Sequence, residues 1–317
     1  MRRIRRVMGA ILLAVLFPAV AGAVYQTVAT ENDAAAFPPP GRLVEVPGGE
    51  LHILCTGSGA PTVVLDHATA SNSAEWALIQ PRIAEVTRVC AYDRAGFGWS
   101  RMREGARDAG QSATELATLL AAAGESGPFV MVGHGYGGFV SRLYAAAHPD
   151  DVAGVVLLDP ARPYDHPLVP VEMNARWKEE DDALALAPLA SRIGLMRLVA
   201  EDQADLPEAV AGAYEAMNGT TTAWETAAAV AAAMPLTSRL VLDLPAEAGP
   251  LLILSAGLPD DDENRRVWTM INAALADASP SGDARIVPGV SSGDFALAAT
   301  GAEAAESAII GMVRLVR

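Results

Sequence analysis

Basic residues are scarce in this chain: 23 Lys and Arg face 38 Asp and Glu over 317 residues, for a net charge of −15 at pH 7. That balance repels a phosphate backbone, and no basic stripe interleaved with aromatics offsets it, so nucleic acid is excluded as the expected partner. Histidine and cysteine are sparse as well. The five histidines are scattered without i, i+4 pairing and the two cysteines are not clustered, so no metal site is expected. The acidic run PDDDENRR, Pro259 to Arg266, lacks the twelve-residue calcium-loop pattern and reads as acids gathered at a helix N-terminus. No G-K-[ST] follows the glycine-rich turn of the chain, which removes the phosphate-loop reading, and no cofactor is called for. Repeats at solenoid or propeller spacing are absent.

What remains is a chain rich in core material, 51% hydrophobic with mean hydropathy +0.24, enough for one large domain. Its front, MRRIRRVMGAILLAVLFPAVAGAVY, sets Arg2, Arg3, Arg5 and Arg6 before an apolar run from Gly9 to Tyr25 and reads as an export signal over residues 1–25. The run is slightly long for a cleaved signal and barely long enough to span a bilayer, while Ala21-Gly22-Ala23 suits a signal peptidase. A signal peptide cut after Ala23 and a retained membrane anchor both stay open. Either way the arginines stay on the cytoplasmic side and the bulk of the chain faces the periplasm or the exterior. The stretch QTVATENDAAAFPPPG reads as a linker over 26–40, extended at its prolines. In an oxidising compartment Cys55 of LHILC and Cys90 of RVCAYDR stand either as a disulfide or as two buried thiols.

From residue 41 to 317, β-rich runs alternate with amphipathic segments. Strands are expected near Leu43 to Val46, Leu51 to Cys55, Thr62 to Leu65, Arg88 to Tyr92, Phe129 to Val132 and Val152 to Leu158, with helices at Glu75 to Glu85, Gln111 to Ala123 and Tyr136 to Ala147. Between about 165 and 245 the alternation lapses into alanine-rich, acidic helical sequence, read as a lid inserted into one domain. It resumes with the strand PLLILSAG, a helix over Glu263 to Ala276, the strand ARIVPG and a closing helix over Ala302 to Val316. The class is α/β with a mostly parallel sheet.

One turn stands out for what it lacks. In VMVGHGYGGFV an apolar strand meets a glycine-dense corner and then a helix, the setting of G-x-S-x-G, yet the five residues are Gly133, His134, Gly135, Tyr136 and Gly137. With FPPPGRLVEV, LHILCTG, PTVVLDHATASNSAEW, TRVCAYDRAGFGWS and PLLILSAG in order and spacing, the chain resembles the α/β-hydrolase family, in its exported, N-terminally anchored bacterial form.

The resemblance implies an eight-stranded, mostly parallel sheet flanked by helices, in which the second and fourth strands are neighbours, and so a disulfide between Cys55 and Cys90. It also implies ester chemistry by a serine on the elbow, a histidine after the last strand and an orienting carboxylate. Here Gly135 fills the serine slot. Relatives read close to PGSGH after the last strand. This chain reads PGVSSGDFAL, which puts Asp294 in the base slot, and a carboxylate is a far weaker base than imidazole. No histidine follows His166. Asp159 and the run Asp260 to Asp262 survive as candidate acids. In DHATASN, where relatives carry glycines, Ala68, Ala70 and Ser71 stand, while the amides of Thr69 and Tyr136 are expected to keep a notch for a carbonyl oxygen. His166, at the mouth of the lid, is a candidate ligand contact, whereas His67 and His134 read as packing residues.

These changes predict a pseudoenzyme with no ordinary serine-hydrolase activity, which binds a small acyl or apolar ligand or a partner protein under the lid. The alternative is a weak hydrolase or lyase in which Asp294 poises water against a substrate held by the Thr69 and Tyr136 amides. A purely structural subunit with a collapsed pocket is the third reading.

Overall fold

The computed structural model describes residues 2–102, 107–198, 205–258 and 263–317. Its centre is a sheet whose inner strands, β3 (Thr62–Asp66), β4 (Val89–Tyr92), β6 (Phe129–His134) and β8 (Leu251–Ala256), are buried along their whole length. Continuous apolar runs of this kind suit parallel strands covered on both faces. With β1 (Arg42–Val46), β2 (Gly49–Thr56), β7 (Val152–Leu158) and β9 (Gly282–Val287), the order is β1-β2-β4-β3-β6-β7-β8-β9. A two-residue strand β5, Arg101–Met102, pairs with β2 as a ninth member. The eight-stranded expectation holds for the main path. Among the described residues only the β1·β2, β2·β4 and β2·β5 pairs are antiparallel.

The β2·β4 register sets Cys55 directly opposite Cys90, and the two form a disulfide across 35 positions of chain. Glu125 lies close to both sulfurs, the one cluster of three ligand-type groups among the described residues. The disulfide consumes the thiols, and Glu125 pairs with Arg88 at 2.7 Å. Replacing both cysteines by alanine is expected to lower unfolding free energy by roughly 3–4 kcal/mol, read from urea denaturation of the double variant against the oxidised protein.

Helices cover both faces. On one, α3 (Ala109–Ala123) and α4 (Gly137–Ala147) bury Leu116, Leu119, Phe139 and Val140 against the sheet; on the other, α2 (Gln80–Ala84) and α11 (Ala299–Leu315) contribute Ile83, Ile309 and Val313. The single helix expected over Glu75 to Glu85 is instead a 3-10 turn, Ser73–Leu78, followed by the short α2. Pro81 sits at the start of α2, where it has no N–H to give to a preceding turn, so a new helix starts there at no cost while a continuous one would lose a hydrogen bond.

Between β7 and β8 the inserted segment folds as α5 (Val171–Ala183), α6 (Ala187–Arg192), α7 (Glu208–Asn218) and α8 (Thr221–Leu242), a helical lid. Buried hydroxyls pin α8 down: Thr237 accepts from the Ala109 amide (3.1 Å) and Ser238 from the Tyr164 amide (2.8 Å). At the front, α1 runs without a break over Arg2–Ala36. The segment read as a linker from Gln26 is therefore helical to Ala36, and only the proline end lies outside it. Its alanines favour the helix, its polar side chains dock on the lid, and Pro38 to Pro40 end it. Among the described residues no helix is long and apolar enough to cross a membrane.

Candidate functional site

Strand β6 ends at the centre of the sheet, and the chain turns there from strand to helix α4. Gly135 holds φ +52°, the left-handed conformation a turn this tight requires. The corner is braced by its own backbone: the Gly135 amide donates to the Leu158 carbonyl (3.1 Å), and the Gly135 carbonyl accepts from Gly138 and Ala161 (3.0 and 2.8 Å). Gly133 and Gly137 are sterically required, since a Cβ at either would stand 2.4 Å from backbone atoms. At Gly135 a Cβ meets nothing nearer than the Ala68 Cβ at 3.4 Å. The elbow is thus intact and its central position has room for a side chain that is absent.

The opposite wall of the notch is the loop after β3. Arg94 holds it, pairing with the buried Asp66 carboxylate and donating to the carbonyls of His67 and Ala68. His67 is fully buried. Burial, reinforced by the Arg94 charge, lowers it to about 4, so the ring is neutral at pH 7, with Nδ1 on the Ala68 carbonyl and Nε2 accepting from the Arg94 amide. Ala70 takes φ +52°, where a Cβ is strained. Ala70→Gly is expected to raise unfolding free energy by about 1 kcal/mol, measurable by urea titration. Thr69 and Tyr136 both line the cavity, and neither amide meets an acceptor among the described residues.

Beneath the elbow lies a buried charge pair. His134 Nδ1 is 3.1 Å from the Glu75 carboxylate and its Nε2 is 2.9 Å from the Ser292 carbonyl. Both partners only accept, so the ring must donate from both nitrogens, as imidazolium does. Burial opposes that charge, but Glu75 and the Ser292 carbonyl outweigh it and raise the His134 pKa. Burial likewise works against the Glu75 carboxylate, yet His134 and the Ser71 hydroxyl hold its pKa below the ordinary value. His134 is therefore a packing residue of a specific kind, locking the turn after β9 to the elbow.

Above the elbow a cavity of about 430 Å³ opens under the lid, lined by Gly135, Tyr136, Asp159, Trp177, Arg265 and Trp268 among others. It is not collapsed. Among the described residues no histidine lines it. Asp159 does, but its carboxylate is taken by the Arg265 guanidinium (2.7 Å) and the Ala256 amide (3.0 Å). Asp181, from the lid, accepts from the Tyr164 hydroxyl, and burial pushes its carboxyl up.

Asp294 is not in the cavity. It opens the short helix α10, Asp294–Leu297, and its carboxylate turns back to accept the Ser291 amide at 2.6 Å. The residue that faces the cavity from this turn is Ser292. Ser292 is also where P-G-x-x-H counted from Pro288 without a gap ends, two residues before Asp294, so this turn brings Ser292 and not Asp294 to the cavity wall. His166 lines an adjoining 210 Å³ chamber behind Pro160, Ala161 and Trp268 rather than the main cavity, and its Nδ1 accepts from the Leu168 amide (3.2 Å). Asp260, with Asp261 and Asp262, lies outside the described residues. Arg265, Trp268, Tyr164, Asp181 and Trp177 were not singled out from sequence. Only Arg265 carried any signal, as a basic residue in the acidic run that leads into the first turn of α9 (Glu263–Ala278).

The strand order, the elbow on the central strand and the lid between β7 and β8 define the α/β-hydrolase fold. Residues 61–204 match the family model for the alpha/beta hydrolase fold. The chain is similar to the uncharacterized protein YqjL of Bacillus subtilis, at 36% identity over 105 residues, covering 33% of this chain and 42% of that one. It is also similar to lipase LipV of Mycobacterium tuberculosis, at 36% over 141 residues, covering 44% and 49%. Each match spans less than half of the curated relative's length. Among solved structures, a thermophilic esterase from Thermogutta terrifontis superposes with TM-score 0.67 at 22% identity, over 87% of this chain and 99% of that one.

Proposed function

We propose that this protein is a non-catalytic member of the serine-hydrolase lineage, which binds a small acyl or apolar ligand in the cavity under its lid. The observation that carries this reading is the intact elbow around an empty centre: every brace of the turn is present, while Gly135 offers no nucleophile and Ser292 no base. Acyl transfer through a covalent intermediate needs both. The Thr69 and Tyr136 amides keep a polar end for a carbonyl or carboxylate oxygen, and Trp177, Val230, Met234 and Trp268 supply apolar wall. The open cavity argues against a purely structural subunit.

Export and retention at a membrane through residues 1–25 belong to the same proposal and are supported by the arginine cluster and the apolar run. An oxidising compartment fits the Cys55–Cys90 disulfide.

The reading is tested with the purified protein and a series of straight-chain carboxylic acids and p-nitrophenyl esters. Expected are a rise in melting temperature with ligand and ester turnover no faster than buffer. Turnover at ordinary esterase rates contradicts it. A slow, non-covalent hydrolase cannot rest on Asp294, which does not reach the cavity; the acid that does and whose pKa burial raises is Asp181. Turnover abolished by Asp181→Asn, with ligand binding kept, would favour that second reading.

A further inference from the structure

Helix α1 has two unlike faces. The inner one, through Gly22, Gln26, Thr30 and Asp33, is seated on the lid. The Gln26 amide donates to the Gly219 carbonyl at 2.8 Å, and Arg197 reaches across to Gln26 (2.9 Å), Thr30 (3.3 Å) and Asp33 (2.6 Å). At Gly22 the approach is backbone to backbone, since a Cβ would stand 2.2 Å from the Ile193 carbonyl oxygen.

The outer face is a stripe at four-residue spacing, Leu16, Val20, Val24 and Val28, flanked by Phe17 and Tyr25, and every one of these is at least half exposed. The lid continues it: Gly194 lies against the Tyr25 ring, and the adjoining Leu195 and Leu198 are exposed by 47% and 75%. Helix and lid together therefore present one apolar surface, larger than scattered single residues account for.

We propose that this helix-and-lid surface lies flat on an anionic lipid bilayer, with α1 in the interface in place of the spanning anchor, which would set its arginines and the domain on opposite sides of the membrane. Charge selects the occupant. Arg2, Arg3, Arg5 and Arg6 head α1 in a chain whose net charge is −15, a segregation that suits anionic headgroups, whereas a second copy of the chain would bring its own negative charge against this one. Length selects the posture. The lid occupies α1 from Gly22 onward, which leaves about 13 residues of the apolar run, Gly9 to Ala21, or about 20 Å of helix at 1.5 Å per residue. The hydrocarbon core of a bilayer is about 30 Å thick. The polar side chains of α1, Gln26, Thr30 and Asp33, are taken up by the lid, which leaves the apolar stripe outward and the arginines at its head, an arrangement that suits the interface.

The inference goes beyond ligand binding in the cavity and stands or falls separately. The experiment uses the full chain, its N-terminus confirmed by intact mass, with an environment-sensitive fluorophore on Phe17→Cys or on Leu198→Cys. Vesicles of phosphatidylcholine with phosphatidylglycerol are compared with phosphatidylcholine alone. Both probes are expected to brighten severalfold and shift to the blue on anionic vesicles only, and the triple variant Phe17→Ser/Val20→Ser/Val24→Ser is expected to co-sediment at least tenfold less while keeping its ligand-induced thermal shift. A response at Phe17 with silence at Leu198 overturns the proposal, because the helix would then have left the lid. So do unchanged sedimentation of the triple variant, resistance to carbonate extraction, and a dimer in solution that ignores vesicles.

Discussion

Gly135→Ser combined with Ser292→His is expected to create p-nitrophenyl ester hydrolysis at least about 100-fold above the unaltered protein, the lower end of what a positioned general base contributes. The elbow accepts the serine sterically, with the nearest atom to the new Cβ at 3.4 Å, although the left-handed backbone makes any side chain there cost about 1–2 kcal/mol. Position 292 lines the cavity that position 135 opens into, so the new imidazole stands on the correct wall. Gly135→Ser alone stays at background, because its hydroxyl has no base. Gly135→Ser with Asp294→His also stays at background, because residue 294 faces its own loop. The contrast between the two double variants is the informative result, and activity from the second would refute the placement of the base slot at 292. A third change, Arg265→Gln, releases Asp159 to orient the histidine and is expected to add to the rate, since losing such a carboxylate costs a serine hydrolase as much as ~10⁴-fold.

Glu75→Gln is expected to lower unfolding free energy by about 3–5 kcal/mol near pH 5.5, because it strips a buried imidazolium of its counter-charge. The dependence on pH has a definite sign. His134 has a raised pKa in the fold, so its contribution is complete below its unfolded value of 6.5 and is lost as pH rises through the folded one. Glu75 has a lowered pKa, so its contribution is complete above 4.5 and is lost as pH falls through its folded value. The pair therefore stabilises most between about pH 4.5 and 6.5, and the gap between unaltered protein and Glu75→Gln narrows on the alkaline side. Urea denaturation across pH 4.5 to 9 reads it. A gap that fails to narrow toward pH 9 would mean that His134 is neutral in the fold.

Much of the fold is legible in sequence because its central strands are covered on both faces. Runs such as Val130 to Val132 and Leu251 to Leu254 must then be apolar without a break, and they read as strands unaided. The elbow reads equally well, since Gly133 and Gly137 are the only residues its close contacts admit. The base slot does not. A turn has no hydrophobic period to hold a register, so an offset of two residues between Ser292 and Asp294 leaves no mark until one side chain faces the cavity and the other does not. Arg265 was hidden for a different reason: it meets Asp159 across 106 positions, a contact made only when α9 packs against β8 and β9. The helical course of Gln26 to Ala36 was masked by polar residues that serve as a docking face for the lid rather than as a spacer.

The most direct test of the central claim is the intact mass of the unaltered protein after prolonged exposure to a fluorophosphonate. An unchanged mass is predicted, because among the described residues no cavity side chain pairs an alcohol with an imidazole. A shift by one phosphonyl group, mapped to a residue of the cavity, would contradict it.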